Sequence, residues 1–230
     1  MTPFMFIYKA MRKLWRILLY NPFCYVMTFI IMRGNAVRYG SFSTSGIPII
    51  SVDRKGSRII IGENLRMNNG NANNNIGFSA RCSLMAIDGG NLRIGNNVGM
   101  SQTAICAVGA DITIGNYTLL GGGVKIYSSD FHSLNSLDRR DYKEVDSKNR
   151  NSAPVVIGDD CFIGAGTIIL KEVVIGSRTI IGAGSVVNKN IPDGVIAAGN
   201  PCKVIRKITD SDKKKYPIFE ENHEHFNHRR

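Results

Sequence analysis

The sequence predicts an all-β solenoid, a β-helix built from six-residue units, because its second half repeats the same residue types every six positions. Steps of six meet a β-branched aliphatic residue each time, at Ile157, Ile163, Ile169, Ile175, Ile181 and Val187. Glycine often follows the aliphatic residue, at Gly158, Gly164, Gly176 and Gly182. A small or β-branched residue stands four places after it, at Cys161, Thr167, Val173, Thr179 and Ser185. This period fits neither a 3.6-residue helix nor simple strand alternation.

Each unit is interpreted as a short strand that ends in a corner. The aliphatic and small side chains point into the coil, and glycine permits the tight corner. Three units complete one triangular turn of about 18 residues. The repeat begins weakly at Ile59, is interrupted by an asparagine-rich stretch at 68–75, and resumes at Ile94. It then steps through Met100, Cys106 and Ile112 and slips by two residues before Ile126.

Three regions are predicted along the chain. Residues 1–40 form a basic and apolar helical segment, 41–208 form the β-helix domain, and 209–230 form a polar C-terminal tail. Within the β-helix domain, residues 128–154 are charged and not periodic. They are therefore predicted to leave the coil as an excursion loop before the repeat returns at Val156.

Composition limits the classes of partner and the cellular location. The net charge is +11, from 29 Lys and Arg against 18 Asp and Glu, which favours an anionic partner. Nucleic acid is not expected, because no module that combines aromatic and basic residues accompanies the charge. The five cysteines are scattered without a CxxC pair, so they are interpreted as reduced apolar residues of a cytoplasmic protein.

The N-terminal region leaves two interpretations open. Residues 8–20 have a helical pattern with Lys9, Arg12, Lys13 and Arg16 on one face. Asn21 and Pro22 are expected to cap a second, apolar helix. The uncharged run at 17–32 is short for a membrane span and is split by this cap. Residues 1–33 either make peripheral contact with the inner face of the cytoplasmic membrane, or pack on the β-helix or on a neighbouring subunit.

One histidine stands out as a candidate base. Three of the four histidines, His223, His225 and His228, lie in the tail and are interpreted as solvated. His132 lies where the coil gives way to the excursion, and histidine is suited to general base chemistry near neutral pH. Asp130, two residues away, is the candidate that fixes its tautomer. Spacing alone leaves a histidine with no role equally open.

The six-residue repeat, this loop histidine and a closing run together resemble the hexapeptide-repeat acyltransferases over about 59–208. The closing run reads Ile-Gly-Ala-Gly-Ser, then Ile-Pro, then Ala-Gly-Asn-Pro-Cys-Lys-Val-Ile. More narrowly, these features resemble those of the maltose/galactoside acetyltransferases and the polysaccharide O-acetyltransferases. The resemblance implies a left-handed parallel β-helix (triangular solenoid), a homotrimer with active sites between subunits, acetyl-CoA as co-substrate and no metal. It also maps the family's catalytic base onto His132, which activates an acceptor hydroxyl for direct attack on the thioester.

The resemblance also assigns provisional roles to further residues. Ser101 is the candidate donor to the tetrahedral oxyanion, and Asn75 is a candidate for the acceptor pocket. Coenzyme A is expected to contact Ala165, Ala183, Asn188, Lys189, Pro201, Lys203 and Arg206. The alanines are expected to let the pantetheine arm approach the backbone, and Lys203 and Arg206 to face the phosphates.

The acceptor is expected to be a sugar hydroxyl of a bacterial surface glycan, such as a capsule, lipopolysaccharide or a lipid-linked precursor. The Asp-Phe-His-Ser sequence around His132 and the unusual N-terminal segment depart from the free-sugar acetyltransferases. Two alternatives stay open: N-acetylation of a nucleotide-linked amino sugar or another small molecule, and a non-catalytic binding scaffold. A metal enzyme on this scaffold needs several histidines in the coils, and only His132 is available there.

Overall fold

The computed structural model describes residues 3–53, 56–70, 80–140 and 144–213. Within these ranges the strands form three sheets, and each sheet takes every third strand of the coil. The first sheet contains β1 (Arg38–Tyr39), β4 (Arg58–Ile61), β7 (Asn91–Ile94), β10 (Ile112–Ile114), β13 (Val155–Ile157) and β16 (Val174–Ile175). The second contains β2 (Phe42–Ser45), β5 (Leu65–Asn68), β8 (Gly99–Ser101), β11 (Leu119–Leu120), β14 (Phe162–Ile163), β17 (Ile180–Ile181), β19 (Val195–Ala198) and β20 (Lys203–Lys207).

The third sheet contains β3 (Ile49–Val52), β6 (Ser83–Ile87), β9 (Ala104–Val108), β12 (Lys125–Tyr127), β15 (Ile168–Ile169) and β18 (Val186–Val187). Neighbouring strands are parallel throughout, except that β20 returns antiparallel to β19. The three faces follow one another along the chain, so each turn of the coil lies on the turn before it. This arrangement is the predicted β-helix.

The predicted inward positions form the core. Ile157, Ile163, Ile169, Ile175, Ile181 and Val187 are all at most 1 % exposed, and the small residues four places later are buried beside them. The strand register stacks equivalent residues, so that Ile94, Ile114, Ile157 and Ile175 form one column. This interior is continuous from turn to turn, so truncating one of these isoleucines to alanine would cost about 2–5 kcal/mol.

The repeated glycines are explained by stacking rather than by the corner conformation that the sequence suggested. Gly158 is outside the left-handed region of φ, whereas Asp160 and Arg178 adopt φ of 56° at the corners. A Cβ atom on Gly158 would lie only 2.7 Å from the backbone nitrogen of Ser177 in the next turn. Glycine is therefore required because successive turns approach too closely for a side chain.

Two details of the predicted register are wrong. The coil begins at Arg38, a full turn before Ile59, because β1, β2 and β3 pair in parallel with β4, β5 and β6. Cys106 points outward and is half-buried, while Ile105 and Ala107 on either side of it are buried. Buried and partly exposed side chains alternate over the first four residues of β9, so Ile105 takes the inward place that six-residue counting gave to Cys106.

The N-terminal region is one continuous helix. It consists of α1 (Pro3–Trp15), one π-helical turn (Arg16–Tyr20) and α2 (Asn21–Gly34). The predicted N-cap at Asn21 is wrong, because Asn21 is helical and its N–H donates to the Arg16 carbonyl five residues back. Pro22 has no N–H and its ring would meet the carbonyl of Leu18 in a regular helix. The wider turn before it avoids that conflict without breaking the helix.

This helix is longer than the sequence suggested. In the described part of the chain, Phe4–Gly34 is long and apolar enough to cross a membrane by length and composition alone. Its second half is attached to the coil, since Cys24, Thr28 and Met32 are buried and Tyr25 stacks on Phe42 of β2 at 4.7 Å. The side chains of α1, by contrast, are exposed from Phe4 to Leu14.

The excursion and the tail complete the described chain. The excursion runs between β12 and β13 and holds a 3₁₀ turn (Asp138–Arg140) and a short helix α3 (Val145–Asn149). The tail begins with α4 (Asp210–Lys213). Asn75 and the three tail histidines lie outside the described residues. All five cysteines are free thiols, and burial raises the pKa of Cys82 to about 11.

Candidate functional site

His132 lies five residues beyond strand β12 and is held by a carboxylate from the far side of the excursion. Its Nδ1 atom is 2.6 Å from Oδ2 of Asp146, on helix α3. The other oxygen, Oδ1, accepts the backbone N–H of Ser133 at 2.6 Å. The Asp146 side chain is 2 % exposed, whereas the His132 side chain is 66 % exposed. The imidazole is thus anchored on its inner edge and open on its outer edge.

This pairing selects one tautomer of the neutral ring. A carboxylate only accepts hydrogen bonds, so Nδ1 carries the proton and Nε2 keeps a free lone pair. Nε2 has no hydrogen-bond partner among the residues that the structure describes. A nitrogen base with an oriented partner and an open lone pair can take a proton from an incoming hydroxyl or amine.

The charge of Asp146 supports that role. The hydrogen bond from His132 is the main reason that the pKa of Asp146 is lowered, and the Ser133 N–H adds to it. The charge of Arg139, and that of His132 when its ring is protonated, lower the pKa of Asp146 further, whereas burial raises it. Asp146 therefore stays ionised near neutral pH, where it can stabilise an imidazolium formed by proton transfer.

Asp130, the partner predicted from sequence, does not hold His132. Its Oδ1 lies 3.1 Å from Nζ of Lys171. The intervening Phe131 adopts φ of 64°, and its ring packs edge-on against Tyr127 at 5.4 Å. This turn separates the two side chains. Asp146 is 14 residues from His132, and no sequence signal distinguished it from the other acids of the excursion.

A hydrogen-bond network fixes the excursion beneath the pair. The Ser133 hydroxyl donates to Oδ2 of Asp138 at 2.8 Å, and Nδ2 of Asn149 donates to the same oxygen at 2.8 Å. Nη1 of Arg139 donates to the Ser133 carbonyl at 2.7 Å. Because these contacts join both ends of the excursion, the His132–Asp146 geometry rests on a constrained loop.

A second set of predicted residues lines one edge of the coil, the corner between the second and third sheets. The Ser101 carbonyl accepts the Gly123 N–H at 3.1 Å, and the Ala165 carbonyl accepts the Gly184 N–H at 2.8 Å. Ser101, Ala165 and Ala183 therefore lie along this edge, with Ala165 and Ala183 on neighbouring turns about 4.8 Å apart and Ser101 two turns before Ala165. The N–H groups of Ala165 and Ala183 have no acceptor within the described ranges, so they can serve a ligand that runs along the edge.

A groove of about 520 Å³ lies on the outer face of the second sheet, beside the N-terminal helix. Its lining includes Asn21, Arg66, Asn68 and Ser101. Nδ2 of Asn68 donates to the Ser101 hydroxyl at 3.2 Å. These side chains offer donors and acceptors beside apolar residues such as Leu119 and Phe162, a combination typical of pockets for small molecules.

The remaining predicted residues lie in the closing run. Asn188 and Lys189 are exposed directly after β18, and Pro201 and Lys203 are exposed at the turn into β20. Arg206 is already paired with Asp212 by two contacts of 2.6 and 2.9 Å. The expectation that Arg206 offers a free charge is thus not met in this structure, whereas Lys203 remains exposed.

The two sets of residues lie at opposite ends of the third sheet. The Ser101–Ala165–Ala183 edge precedes strands β9, β15 and β18, whereas His132 follows β12 of the same sheet. The strand and its flanking corner residues separate them by about 15–20 Å. One chain alone therefore does not bring the base to the edge that carries the free N–H groups.

Comparisons with known proteins agree with the fold and the repeat. Residues 154–189 match the family model described as bacterial transferase hexapeptide (six repeats). The chain is 40 % identical over 124 residues to a putative acetyltransferase of Saccharomyces cerevisiae, covering 54 % of this chain and 60 % of the relative. It is 37 % identical over 128 residues to the galactoside O-acetyltransferase of Lactococcus lactis, covering 56 % and 58 %. The chain thus spans little more than half of each relative.

Among solved structures, the fold matches AntD, an N-acyltransferase from Bacillus cereus. The TM-score is 0.57 at 21 % identity, covering 79 % of this chain and 88 % of AntD, which supports the fold alone. The predicted resemblance to hexapeptide-repeat acyltransferases is confirmed, and the parallel sheets fit the left-handed β-helix that it implies.

Proposed function

We propose that this protein is an acetyl-CoA-dependent O-acetyltransferase that modifies a sugar hydroxyl of a bacterial surface glycan. The observation that carries the proposal is the His132–Asp146 pair, with Nδ1 held at 2.6 Å and Nε2 open to solvent. The likeness to the L. lactis galactoside O-acetyltransferase supports acetyl transfer to a sugar hydroxyl. We further propose that the coil is the left-handed triangular β-helix that the resemblance to hexapeptide-repeat acyltransferases implies.

The proposed reaction is a direct transfer with a single base. Nε2 of His132 takes the proton of the acceptor hydroxyl as its oxygen attacks the thioester carbonyl of acetyl-CoA. The C–S bond breaks as the tetrahedral intermediate collapses, and the leaving thiolate takes the proton back from the imidazolium. Asp146 stabilises that cation without accepting its proton. Ser101 is proposed as the donor to the oxyanion.

The edge formed by Ala165 and Ala183 is proposed to bind the pantetheine arm. The amide carbonyl oxygens of an extended arm can accept hydrogen bonds from the two N–H groups, because no side chain larger than a methyl stands between the arm and the backbone. Asn188, Lys189, Pro201 and Lys203 are proposed to contact the nucleotide end. Arg206 would join them only if its contact with Asp212 opened. The reaction as proposed needs no metal.

The separation of the two sets within one chain supports a homotrimer. In a closed three-fold ring each interface joins two different surfaces of neighbouring subunits. Such an interface can place His132 of one subunit against the Ala165–Ala183 edge of the next. We therefore propose three active sites, each built at a subunit boundary.

A complementation experiment tests this shared site. His132→Ala removes the base, and Ala183→Phe places a ring on the exposed edge where acetyl-CoA is proposed to bind. The two inactive variants are mixed in equal amounts, denatured together and refolded. About one quarter of wild-type activity is expected, because an interface is active only when one subunit supplies His132 and its neighbour supplies an intact Ala183, and each of these is present in half of the subunits. The same treatment of each variant alone is the control. No recovery from trimers shown to be mixed would contradict the shared site.

The acceptor class is tested by the release of free thiol from acetyl-CoA. We expect release with hydroxyl acceptors, such as galactosides and oligosaccharides prepared from surface glycans, and a product that mild alkali cleaves as an ester. A parallel set of amino sugars and nucleotide-linked amino sugars distinguishes N-acetylation, whose amide product survives alkali. Turnover restricted to amines would replace the O-acetyltransferase proposal. Acetyl-CoA binding without turnover on either set would favour the non-catalytic scaffold.

A further inference from the structure

The N-terminal helix exposes an unusual amount of apolar surface. Most large apolar side chains of Phe4–Gly34 are exposed, among them Phe4, Ile7, Met11, Leu14 and Leu18. Soluble proteins rarely leave contiguous apolar patches of this extent in water. The helix therefore has a partner whose surface is itself apolar.

The charges of the helix indicate which partner fits. Phe4–Gly34 contains five cations and no acidic residue. Within Phe4–Tyr20, Lys9, Arg12, Lys13 and Arg16 follow helical spacing along one face, opposite the stripe that runs from Phe4 to Leu18. A second copy of this helix would bring like charges together. Anionic lipid headgroups complement them, while the acyl region accepts the apolar stripe.

The attachment of α2 decides how the helix meets the membrane. Cys24, Thr28 and Met32 are buried against the coil, so this half cannot be surrounded by lipid. The part without buried side chains, Phe4–Tyr20, carries four of the five cations. Crossing the bilayer would require burying those charges at a cost of several kcal/mol.

We propose that Phe4–Tyr20 lies in the headgroup region of an anionic membrane as a monotopic helix. The stripe from Phe4 to Leu18 faces the acyl chains, and the four cations face the phosphates. The π-helical turn keeps this segment continuous with α2, which remains docked on the coil. The expected location is the inner face of the cytoplasmic membrane.

The same geometry indicates a class of acceptor, and this part of the inference rests on the proposed function. Asn21, at the start of α2, lines the groove that also contains Arg66, Asn68 and Ser101. A helix lying on the bilayer therefore holds this groove close to the lipid surface. A glycan that is still attached to its lipid carrier is the acceptor that such a placement favours.

The single tryptophan provides a direct test, because Trp15 lies in the proposed membrane segment and is 50 % exposed. The full chain is mixed with phosphatidylcholine vesicles that contain or lack phosphatidylglycerol. We expect flotation with the anionic vesicles, a blue shift of the Trp15 emission, and stronger quenching by lipids brominated near the headgroup than by lipids brominated near the chain ends. Strong quenching at the chain ends would overturn the monotopic arrangement in favour of a span.

Matched variants separate the two components of binding. Replacing Lys9, Arg12, Lys13 and Arg16 by glutamine is expected to weaken partition about 100-fold or more. The control replaces Arg81, Arg93, Arg140 and Arg178 by glutamine, which lowers the net charge equally on the exposed coil and excursion and should retain most of the binding. Met11→Ser, Leu14→Ser and Leu18→Ser together keep every cation and should abolish the blue shift. An unchanged blue shift in this variant would overturn insertion.

The outcomes distinguish the membrane proposal from the catalytic one. Acetyl-CoA binding, measured by calorimetry on the same variants, is expected to be unchanged because none of the substituted residues belongs to the Ala165–Ala183 edge or to the closing run. Vesicle binding that fails while acetyl-CoA binding persists overturns the membrane helix alone. A helix-dependent change of oligomeric state without vesicle binding would assign the apolar stripe to a second copy. Vesicle binding without acetyl-CoA binding would support the membrane helix and contradict the proposed function.

Discussion

Replacement of His132 by alanine is expected to reduce kcat by about 10²- to 10⁴-fold, the usual contribution of a positioned general base. The effect arises because no other nitrogen base within the described residues replaces Nε2 at the end of β12. Acetyl-CoA binding should persist, since the Ala165–Ala183 edge is unchanged. The two quantities are measured as the rate of thiol release at saturating substrates and as the calorimetric dissociation constant of acetyl-CoA.

The fold should tolerate this change. The His132 side chain is 66 % exposed, so its removal leaves no cavity in the core. Thermal unfolding is therefore expected to stay close to wild type, and His132→Gln serves as a second variant of similar size. A His132→Ala protein that keeps its kcat would remove the base from the mechanism. A protein that loses acetyl-CoA binding as well would place His132 in the donor site instead.

Asp146→Asn is expected to reduce kcat by about 10- to 100-fold, the range for partners that orient a functional histidine. The amide can donate to Nδ1 and so favours the tautomer with its proton on Nε2, which is the wrong one for a base. It also lacks the charge that stabilises the imidazolium. Measurement of kcat and KM separately should place the loss in kcat, because Asp146 is buried and contacts no substrate directly.

The same substitution has a signature in the pH dependence of stability. The pKa of Asp146 is lowered in the folded protein, mainly by the hydrogen bond from His132. A depressed pKa stabilises the fold above the unfolded value of about 4, and this stabilisation is lost as the pH falls through the folded value. The difference in unfolding free energy between wild type and Asp146→Asn should therefore be largest near neutral pH and shrink below about pH 4.

Asp130→Asn is the matched control, because it makes the same chemical change two residues from His132. Asp130 contacts Lys171 rather than the imidazole, so its kcat is expected to stay within about three-fold of wild type. A large loss in Asp130→Asn together with normal kcat in Asp146→Asn would reverse the assignment of the partner. Equal losses in both would indicate a general disturbance of the excursion.

The coil was predictable because its signal is local and repeated. Each inward isoleucine packs on its equivalent in the next turn, as Ile157 packs on Ile175 and Ile163 on Ile181. The same packing position therefore recurs at a fixed interval in the sequence. The signal weakened where strands lengthened, and counting in sixes then placed Cys106 inward instead of Ile105. It failed before Ile59, where the first turn keeps a glycine at Gly40 but has the aromatic residues Tyr39 and Phe42 in register with Ile61 and Leu65 of the next turn.

The candidate site was only partly predictable. His132 was identified because a histidine at a break in the repeat is conspicuous, but its partner was not. Proximity in sequence favoured Asp130, whereas a left-handed residue at Phe131 separates the two side chains. The excursion, whose residues 141–143 are not described, returns to bring Asp146 within 2.6 Å. No spacing rule describes a contact that depends on the path of an irregular loop.

Residue types and their spacing were sufficient to predict the six-residue coil, the inward isoleucines, the break that carries His132 and the basic apolar character of the N-terminus. These properties follow from residue type and spacing, because the burial of apolar side chains at a fixed interval and local backbone preferences specify strands, corners and helical faces. The three-dimensional contacts were needed to show that Asp146 anchors the imidazole, that Asp212 occupies Arg206, and that the helix continues through Pro22. In each case packing and hydrogen-bond competition select one arrangement among several that the residue types allow.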